Sequence, residues 1–244
     1  MHEFQPKLSE DKEHTPLSFQ IAIDGTVAAG KGSVSRLLAD RLGFLYVDTG
    51  AMYRCVSYIA IMTHTPPENE GLLIHELKNH QILLKKPTDN EKDGRLITVL
   101  LNDEDVTWKI RTEQVSDLSS VTAQHLGIRE ELVRLQQHIS ASQDVVMEGR
   151  DITHAVLPNA QIKIFLDADP LVRAERRRLE LQSRGIYTLF EDVLADLKIR
   201  DQRDFEKNMK RVPGVWDIDT TRLTTEEVVT PILFRTRTLV TNKS

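Results

Sequence analysis

The stretch that most constrains the fold of this chain is IAIDGTVAAGKGS at residues 21–33, where an apolar run leads directly into a loop bounded by glycines. Gly25 and Gly30 bracket four residues, Lys31 follows, and an amphipathic helical pattern begins at once. Backbone N–H groups and the positive end of a helix can converge on a polyphosphate only where the backbone is as free as that of glycine. The pattern predicts a strand, a phosphate-binding loop and a helix, with Lys31 adding its charge at the phosphates.

One residue departs from the usual form of such a loop. Ser or Thr normally follows the lysine directly, whereas here Gly32 intervenes and Ser33 comes one place later. The alternative interpretation is an ordinary strand-to-helix turn that carries a surface lysine. The apolar strand before the loop and the helical pattern after it favour the phosphate-binding interpretation.

Length and charge limit the classes of protein that the chain can belong to. Its 244 residues suffice for one α/β core and an inserted subdomain. A net charge of −5 argues against broad nucleic-acid binding, so any anion site must be local. Residues 1–17 are polar and charged, which predicts a disordered tail with neither a secretory signal nor a membrane anchor. The single Cys55 lies in an apolar helical pattern, so we expect a buried thiol and a cytoplasmic location.

Strand-like and helix-like segments alternate along the chain, which predicts an α/β fold with a parallel sheet covered by helices on both faces. The predicted core strands are 19–24, 45–47, 144–147, 161–166 and 215–218. The predicted helices are 31–42, 51–63, 128–142, 170–183, 189–211 and 224–239.

Residues from 65 to about 120 interrupt this alternation. Two prolines open the stretch, and 82–85 and 96–101 resemble short strands around a polar turn at 89–94. An insertion between the second and third core strands would lie over the carboxyl edge of the sheet, where open α/β folds bind ligands.

Polar clusters follow two further core strands. Residues 48–54 (DTGAMYR) place a hydroxyl, an aromatic ring and a guanidinium at a helix start, although Asp48 or Thr49 could equally serve as a helix cap with Arg54 exposed. Residues 148–151 (EGRD) follow the next strand, where the alternative is a turn with a surface ion pair.

A third cluster is strongly cationic. Part of it must be solvated helix surface, but arginines on a closing lid are a usual means of neutralising phosphates during phosphoryl transfer. The stretch around Gly185 and Tyr187, between two basic helices, is the candidate lid. The cationic residues are Arg173, Arg176, Arg177, Arg178, Arg184, Lys198, Arg200, Arg203, Lys207, Lys210 and Arg211.

Together these motifs resemble the bacterial cytidylate kinases, which are nucleoside monophosphate kinases. The resemblance extends from about residue 19 to 239. A glycine after the loop lysine is typical of this type of kinase. The motifs are GTVAAGKGS at 25–33, DTGAMYR at 48–54, IRT at 110–112, EGRD at 148–151, KIFLDA at 163–168, RAERR at 173–177 and RDQRD at 200–204.

The resemblance implies transfer of the γ-phosphoryl group of ATP to CMP or dCMP, with Mg²⁺ bridging the ATP phosphates. It implies a three-layer P-loop fold with an ATP-binding core at 18–64 and 144–240, a helical lid at about 183–212, and a nucleoside-monophosphate-binding insertion at 65–143. A monomer that binds neither nucleic acid nor membrane is expected.

The resemblance also implies roles for individual residues. Lys31, Arg150 and Arg176 are the expected catalytic residues, with Arg176 on the lid. The arginines near the acceptor would pair with its phosphate, Asp151 with its sugar, and Ser120 and Arg129 with its base. The ATP-binding residues are Gly25, Thr26, Val27, Ala28, Ala29, Gly30, Lys31, Gly32 and Ser33, and the CMP-binding residues are Thr49, Tyr53, Arg54, Ser120, Arg129, Arg150, Asp151, Arg200 and Asp204.

The chain departs from the family pattern at several positions. Ala28 replaces a glycine, and we expect it to be tolerated only with a negative φ. Thr153 and His154 replace a glycine and a threonine, and Lys207 stands where a second arginine is usual, so it keeps the charge but not the bidentate fork. The loop at 207–219 is also shorter than is usual in the family.

Two alternatives remain open at this stage. One is a related kinase that uses UMP or shikimate as the acceptor, although the long insertion is unlike shikimate kinases. The other is a weakly catalytic nucleotide-binding regulatory protein. The eight histidines form no metal-ligand spacing, and the Mg²⁺ ligands remain unknown, with Ser33 or Asp24 as options.

Overall fold

A computed structural model describes residues 18–91, 93–183, 185–207 and 209–241. The predicted tail at 1–17 and Arg184 lie outside the described residues, as does the side chain of Lys207.

The described elements alternate between strands and helices, with two short irregular helical turns. In chain order they are β1 (Gln20–Gly25), α1 (Lys31–Leu42), β2 (Leu45–Asp48), α2 (Thr49–Met62), α3 (Glu70–Asn79), β3 (Ile82–Lys85), β4 (Thr98–Leu101), β5 (Glu104–Asp105), a 3₁₀ turn (Lys109–Arg111), α4 (Glu113–Thr122), α5 (Leu126–Ser142), β6 (Val145–Gly149), a π-helical turn (Ile152–Val156), β7 (Ile162–Asp167), α6 (Pro170–Ser183), α7 (Phe190–Lys207), β8 (Trp216–Asp219) and α8 (Thr225–Thr241).

Five strands form one parallel sheet in the order β2-β6-β1-β7-β8. The central strand β1 is buried along its whole length, as expected for a parallel sheet that is covered on both faces. Its Ile21 pairs with Val146 on one side and Ile162 on the other. Because all five strands are parallel, the loops that follow β1, β2, β6, β7 and β8 meet at the same edge of the sheet.

The parallel-sheet prediction is confirmed at the level of individual elements. All five predicted core strands are present, each shifted by one or two residues at its ends. The predicted helices at 31–42 and 170–183 have the same bounds in the structure, whereas α7 ends at Lys207 and not at 211.

The segment between α2 and β6 contains more regular structure than the sequence indicates. The short strands β3 and β4 were expected, and β5 extends them into an antiparallel three-stranded sheet. Helices α3 and α4 were not predicted, although each begins after a capping residue, Asn69 and Thr112 respectively. The division of the chain into core, insertion and lid stays a prediction.

Two separate apolar clusters stabilise the described structure. The larger one joins the parallel sheet, the helices around it and the segment between α2 and β6. The smaller one, here called the α6–α7 cluster, has Ala174, Val193 and Leu197 at its centre. Packed around these are the partly buried Val27, Leu181, Phe190 and Leu194. The α6–α7 cluster therefore includes a residue of the loop that follows β1.

Candidate active site

The loop after β1, residues 25–33, has the backbone geometry that a phosphate site requires. A Cβ at Gly25 would lie 2.1 Å from the carbonyl oxygen of Leu166, so only glycine fits against the neighbouring strand. Gly30, the residue before α1, has φ of 90°, which is also suited to glycine. Helix α1 begins at Lys31, so its free amide groups and positive end face the loop.

Ala28 contradicts the sequence-based expectation about its backbone. Its φ is 59°, in the left-handed region, where a negative value was expected. The loop reverses direction at this residue, and its neighbours hold the alanine in a conformation that costs about 1 kcal/mol or more for a residue with a Cβ. The alanine that replaces the family's glycine therefore keeps a left-handed backbone at a cost in strain, and the loop does not adopt a different backbone to accommodate it.

Lys31 is buried against its own loop. Its Nζ donates hydrogen bonds to the carbonyl oxygens of Gly25 at 2.8 Å and Thr26 at 2.7 Å. Burial and the nearby positive charge of Arg150 together lower the pKa of Lys31 to about 7, against an opposing effect of Glu148. Phosphate oxygens near this ammonium would restore its charge.

The glycine that follows Lys31 has a structural explanation. A Cβ at Gly32 would lie 3.2 Å from Oε1 of Glu148 and 3.6 Å from the hydroxyl of Tyr46. These two groups are hydrogen bonded to each other, with Tyr46 donating at 2.6 Å. Burial raises the pKa of Glu148, with a further contribution from the charge of Asp48. A buried tyrosine–carboxyl pair thus occupies the space beside the loop.

Asp24, near the end of β1, holds the loop that follows β6. Its Oδ1 accepts a hydrogen bond from the Ile152 amide at 2.8 Å, and its Oδ2 accepts from the Thr153 amide at 2.9 Å and the Thr153 hydroxyl at 2.6 Å. Burial raises the pKa of Asp24, and the Thr153 hydrogen bonds oppose this shift. Thr153, one of the family departures, therefore has a clear structural role. The role of Asp24 as a magnesium ligand stays a prediction.

A cavity of about 850 Å³ lies beside the loop, at the carboxyl edge of the sheet. All nine residues expected at the monophosphate site line it: Thr49, Tyr53, Arg54, Ser120, Arg129, Arg150, Asp151, Arg200 and Asp204. Val27, Ala28 and Lys31 of the phosphate loop line the same cavity. Here this space is called the acceptor cavity.

Most guanidinium groups in the acceptor cavity are paired with carboxylates of the chain itself. Arg150 donates through Nε to Asp204 at 2.7 Å, and Arg129 forms a close ion pair with Asp151. A second pair at the cavity wall joins Arg54 Nη2 and Asp48 Oδ2 at 3.0 Å. Asp48 also caps α2, accepting from the Ala51 amide, so the capping and cavity interpretations of this segment both hold.

Arg150 and Lys31 meet at one backbone atom. Arg150 Nη1 donates to the carbonyl oxygen of Gly25 at 3.3 Å, and Lys31 Nζ donates to the same oxygen at 2.8 Å. Two cations from different elements therefore converge where the phosphate loop borders the acceptor cavity. Such a convergence is suited to two phosphate groups in close proximity.

Arg176 does not line the acceptor cavity in this structure. Its guanidinium makes two hydrogen bonds to Thr220: Nη1 donates to the hydroxyl at 3.1 Å, and Nη2 donates to the carbonyl oxygen at 2.7 Å. The Thr220 hydroxyl in turn donates to the Ala29 carbonyl of the phosphate loop at 3.0 Å. Arg176 therefore supports the loop from the side of β8.

The cavity also contains residues beyond the nine expected at the monophosphate site. Arg203, from the cationic cluster, follows Arg200 by three residues on α7, a spacing that places both on neighbouring parts of one helix face. Asp48, Gly50, Glu148 and Gly149 belong to the polar motifs at 48–54 and 148–151. The remaining residues could not be recognised from spacing because they come from separate elements: Ser116, Asp117, Ser119, Ala123, Gln124, Leu126, Asp196 and Ile199.

A second cavity, of about 880 Å³, lies where β7 and β8 end. Asp167 connects it to the phosphate loop by accepting a hydrogen bond from the Thr26 hydroxyl at 2.8 Å. Arg211 lies at its wall, with an ion pair to Asp167 at 3.1 Å and its guanidinium carbon 4.5 Å from the centre of the Phe165 ring. The two cavities therefore both border the phosphate loop.

Three further expectations concern metals, the cysteine and membranes. No group of three His, Cys, Asp or Glu side chains that could hold a metal ion occurs in the part of the chain that the structure describes. Cys55 is fully buried, and this burial raises the pKa of its thiol to about 12, as expected for a structural residue. Within the described ranges, no helix combines the length and apolar character needed to cross a membrane.

Comparison with known proteins gives matches over most of the chain. A family model described as cytidylate kinase matches residues 21–238. A cytidylate kinase from Geobacillus sp. (strain WCH70) is 43% identical over 219 residues, covering 88% of this chain and 95% of the relative. A cytidylate kinase from Bacillus cytotoxicus is 41% identical over 216 residues, covering 87% and 93% respectively. A solved gluconokinase from Sinorhizobium meliloti 1021 aligns over 93% of this chain and 97% of its own, with 15% identity and a TM-score of 0.44.

Proposed function

Because the chain belongs to the cytidylate kinase family and transfers a phosphoryl group from ATP to CMP or dCMP, we propose that the residues around the acceptor cavity carry out this transfer. The observation that carries the proposal is the shared contact of Lys31 and Arg150 with the Gly25 carbonyl. One cation belongs to the donor loop and the other to the acceptor wall. Their meeting point is where the γ-phosphate and the acceptor phosphate would lie side by side.

The acceptor nucleotide is proposed to lie in the acceptor cavity with its phosphate toward Arg54 and Arg150. Carboxylates hold both guanidiniums in this structure, so a bound phosphate would replace one anionic partner of each guanidinium with another. Asp204 would then be available for sugar hydroxyls, and Asp151, which keeps its ion pair with Arg129, has further lone pairs that can accept from one. Thr49, Tyr53 and Arg200 complete the proposed phosphate and sugar environment.

The base is proposed to lie against the far wall of the acceptor cavity, formed by α4 and the start of α5. Ser120 and Arg129 lie on this wall, with Arg129 held by Asp151. The Ser120 hydroxyl donates to the Asp117 carbonyl at 2.7 Å and has lone pairs available to accept from an exocyclic amino group. A cytosine presents such an amino group, whereas uracil presents a carbonyl oxygen at the same place.

ATP is proposed to bind through residues 25–33, with its triphosphate on the loop amides and Lys31 at the β- and γ-phosphates. Its nucleoside part is proposed to occupy the second cavity, which borders the loop through Asp167 and Thr26. In this arrangement the donor and acceptor approach the loop from its two sides. Arg176 would act on the loop through Thr220 unless the lid rearranges.

The proposed Mg²⁺ would be held mainly by phosphate oxygens and water. The described residues provide no dedicated metal cage, which is the usual situation for Mg²⁺ carried by a nucleotide. Of the chain's own groups, the Glu148 carboxylate beside Gly32 and the exposed Ser33 hydroxyl are suited to complete its coordination, directly or through water. When bound, the ion supplies positive charge to the β- and γ-phosphates.

The chemistry needs no general base. The attacking oxygen belongs to a phosphate that is already ionised at neutral pH, so the chain must position the two phosphates and neutralise their charge. Lys31 and Arg150 are proposed as the principal groups for this task. The protein is further proposed to act as a monomer in the cytoplasm. Size-exclusion chromatography with light scattering would test its oligomeric state.

The direct test of the proposed function is a coupled assay of ADP release with CMP, dCMP, UMP and AMP as acceptors. The expected result is rapid ADP release with CMP and dCMP and much slower release with UMP and AMP. A Lys31→Met variant serves as the control for contaminating kinases and should lose nearly all activity. Faster release with UMP than with CMP would contradict the proposed base recognition, and ATP binding without turnover of any acceptor would favour a regulatory role.

A further inference from the structure

At the phosphate loop, Val27 is attached to helices α6 and α7, whereas Ala29 packs in the larger apolar cluster. The Val27 side chain packs in the α6–α7 cluster, beside Ala174, Val193 and Leu197. The Val27 carbonyl oxygen accepts a hydrogen bond from Arg173 Nη1 at 3.1 Å. The Val27 side chain therefore contacts α6 and α7, and its backbone is bound by Arg173 of α6.

Arg173 is a fully bonded, buried guanidinium at the centre of this attachment. It is 3% exposed, and its Nε donates to the Ala168 carbonyl at 3.0 Å. Its two terminal nitrogens form a bidentate pair with Asp201, at 3.1 and 2.6 Å. Planar bidentate pairs of this kind fix geometry as well as contributing energy, which explains why the buried charge is tolerated.

The partner of Arg173 belongs to the helix that carries acceptor-site residues. Asp201 lies directly after Arg200 and three residues before Asp204 on α7, and both of these neighbours line the acceptor cavity. Asp204 also holds Arg150. One face of α7 thus contacts the acceptor cavity, while Asp201 contacts Arg173 and, through it, the phosphate loop.

We propose that Arg173 is a positioning residue that couples the acceptor cavity to the phosphate loop through Asp201 and the Val27 carbonyl. A nucleotide that draws Arg200 and Asp204 toward itself displaces α7, and the rigid Arg173–Asp201 pair transmits this displacement to the loop tip. Ala28, next to Val27, has a strained backbone that its surroundings hold in place, so the loop conformation depends on such contacts.

This inference rests on the proposed function of the acceptor cavity and adds a thermodynamic consequence. If CMP changes the loop, it changes the affinity of the loop for ATP, and ATP must change the affinity for CMP by the same factor. Couplings of this kind are typically about fivefold or more. We therefore expect CMP to increase the affinity for a non-hydrolysable ATP analogue by at least about fivefold.

The test measures binding of that analogue by calorimetry with and without saturating CMP. The double variant Arg173→Met/Asp201→Leu removes the link without leaving a buried unpaired charge, so it should fold. The expected result is a coupling factor below about twofold, with CMP binding alone changed by less than about threefold. The matched control is the partly exposed ion pair on the same helix, Arg178→Met/Glu175→Leu, which should retain the wild-type coupling.

A second variant keeps the test decisive if the double variant does not fold. Asp201→Asn preserves the size of the side chain but weakens the fork, and it should lower the coupling factor at least about threefold. Retention of the full coupling factor in either folded variant, or no effect of CMP on analogue affinity in the wild type, would overturn the proposal. Failure of the wild type to bind or phosphorylate CMP would instead contradict the proposed function.

Discussion

Replacing Thr153 with valine tests the link between the phosphate loop's strand and the loop after β6. Valine has nearly the same shape, so the change removes only the hydroxyl that donates to Asp24 Oδ2 at 2.6 Å. Both residues are buried, with Asp24 at 0% and Thr153 at 1% exposure. A hydrogen bond to a charged group contributes about 1.5–3 kcal/mol, so we expect the free energy of unfolding at pH 7 to fall by about 2 kcal/mol.

The pH dependence of this loss follows from the titration of Asp24. Burial raises its pKa in the folded state, so its contribution to stability is greatest at low pH and is lost as pH rises through the folded pKa. Removing the Thr153 hydroxyl raises this pKa further. The difference between variant and wild type is therefore larger at higher pH, where Asp24 is ionised, and shrinks as the pH falls and Asp24 becomes protonated in both proteins.

The assay is urea unfolding at neutral and mildly acidic pH, with the free energies compared at equal m-values. Thr153→Ser is the matched control, because it keeps the hydroxyl and loses only a methyl group, worth about 1 kcal/mol or less. Equal losses in the valine and serine variants would refute the reasoning. So would a loss in the valine variant that is larger at acidic pH than at pH 7.

Three further predictions concern the phosphate loop and its neighbour Arg150. Ala28→Gly removes the strain of an alanine in the left-handed region and should raise the free energy of unfolding by about 0.5 kcal/mol, once the extra unfolded-state entropy of glycine is subtracted. A decrease of more than about 1 kcal/mol in the free energy of unfolding in urea would contradict the proposed strain. Burial lowers the pKa of Lys31 to about 7, and bound phosphate raises it, so Lys31 should take up a proton when ATP binds. Calorimetry in buffers of different ionisation enthalpy should detect this uptake. The affinity for ATP should fall between about pH 7.5 and 9.5. A Lys31→Met variant should show neither effect. Arg150→Ala should lower kcat by about 100-fold with little change in KM in steady-state kinetics, and a raised KM with unchanged kcat would disprove the proposed role.

The sequence was sufficient where the determinants are local. Helix α1 could be bounded at both ends because Gly30 and Gly43, which flank it, have positive φ values and mark its limits. The five core strands were found because each is a short apolar run followed by polar residues. Helices α3 and α4 were missed because each buries only two residues, too few to give a clear helical period.

The sequence was insufficient where contacts between distant elements decide the outcome. The backbone of Ala28 has a φ of 59°, and the neighbouring Val27 packs on α6 and α7, a contact that no local pattern reveals. The helical position of Arg176 directs it to Thr220, on another element, and not into the cavity. The nine acceptor residues come from α2, α4, α5, the loop after β6, and α7, so a family resemblance was needed to group them before the structure placed them together.

The most direct test of the central claim is a crystal structure with CMP and a non-hydrolysable ATP analogue bound together. We expect the CMP phosphate in the acceptor cavity, within hydrogen-bond distance of Arg150, with the γ-phosphate of the analogue at Lys31. We also expect that Lys31 leaves the Gly25 carbonyl to contact phosphate. CMP bound outside this cavity, or an acceptor phosphate that contacts neither Arg54 nor Arg150, would contradict the account.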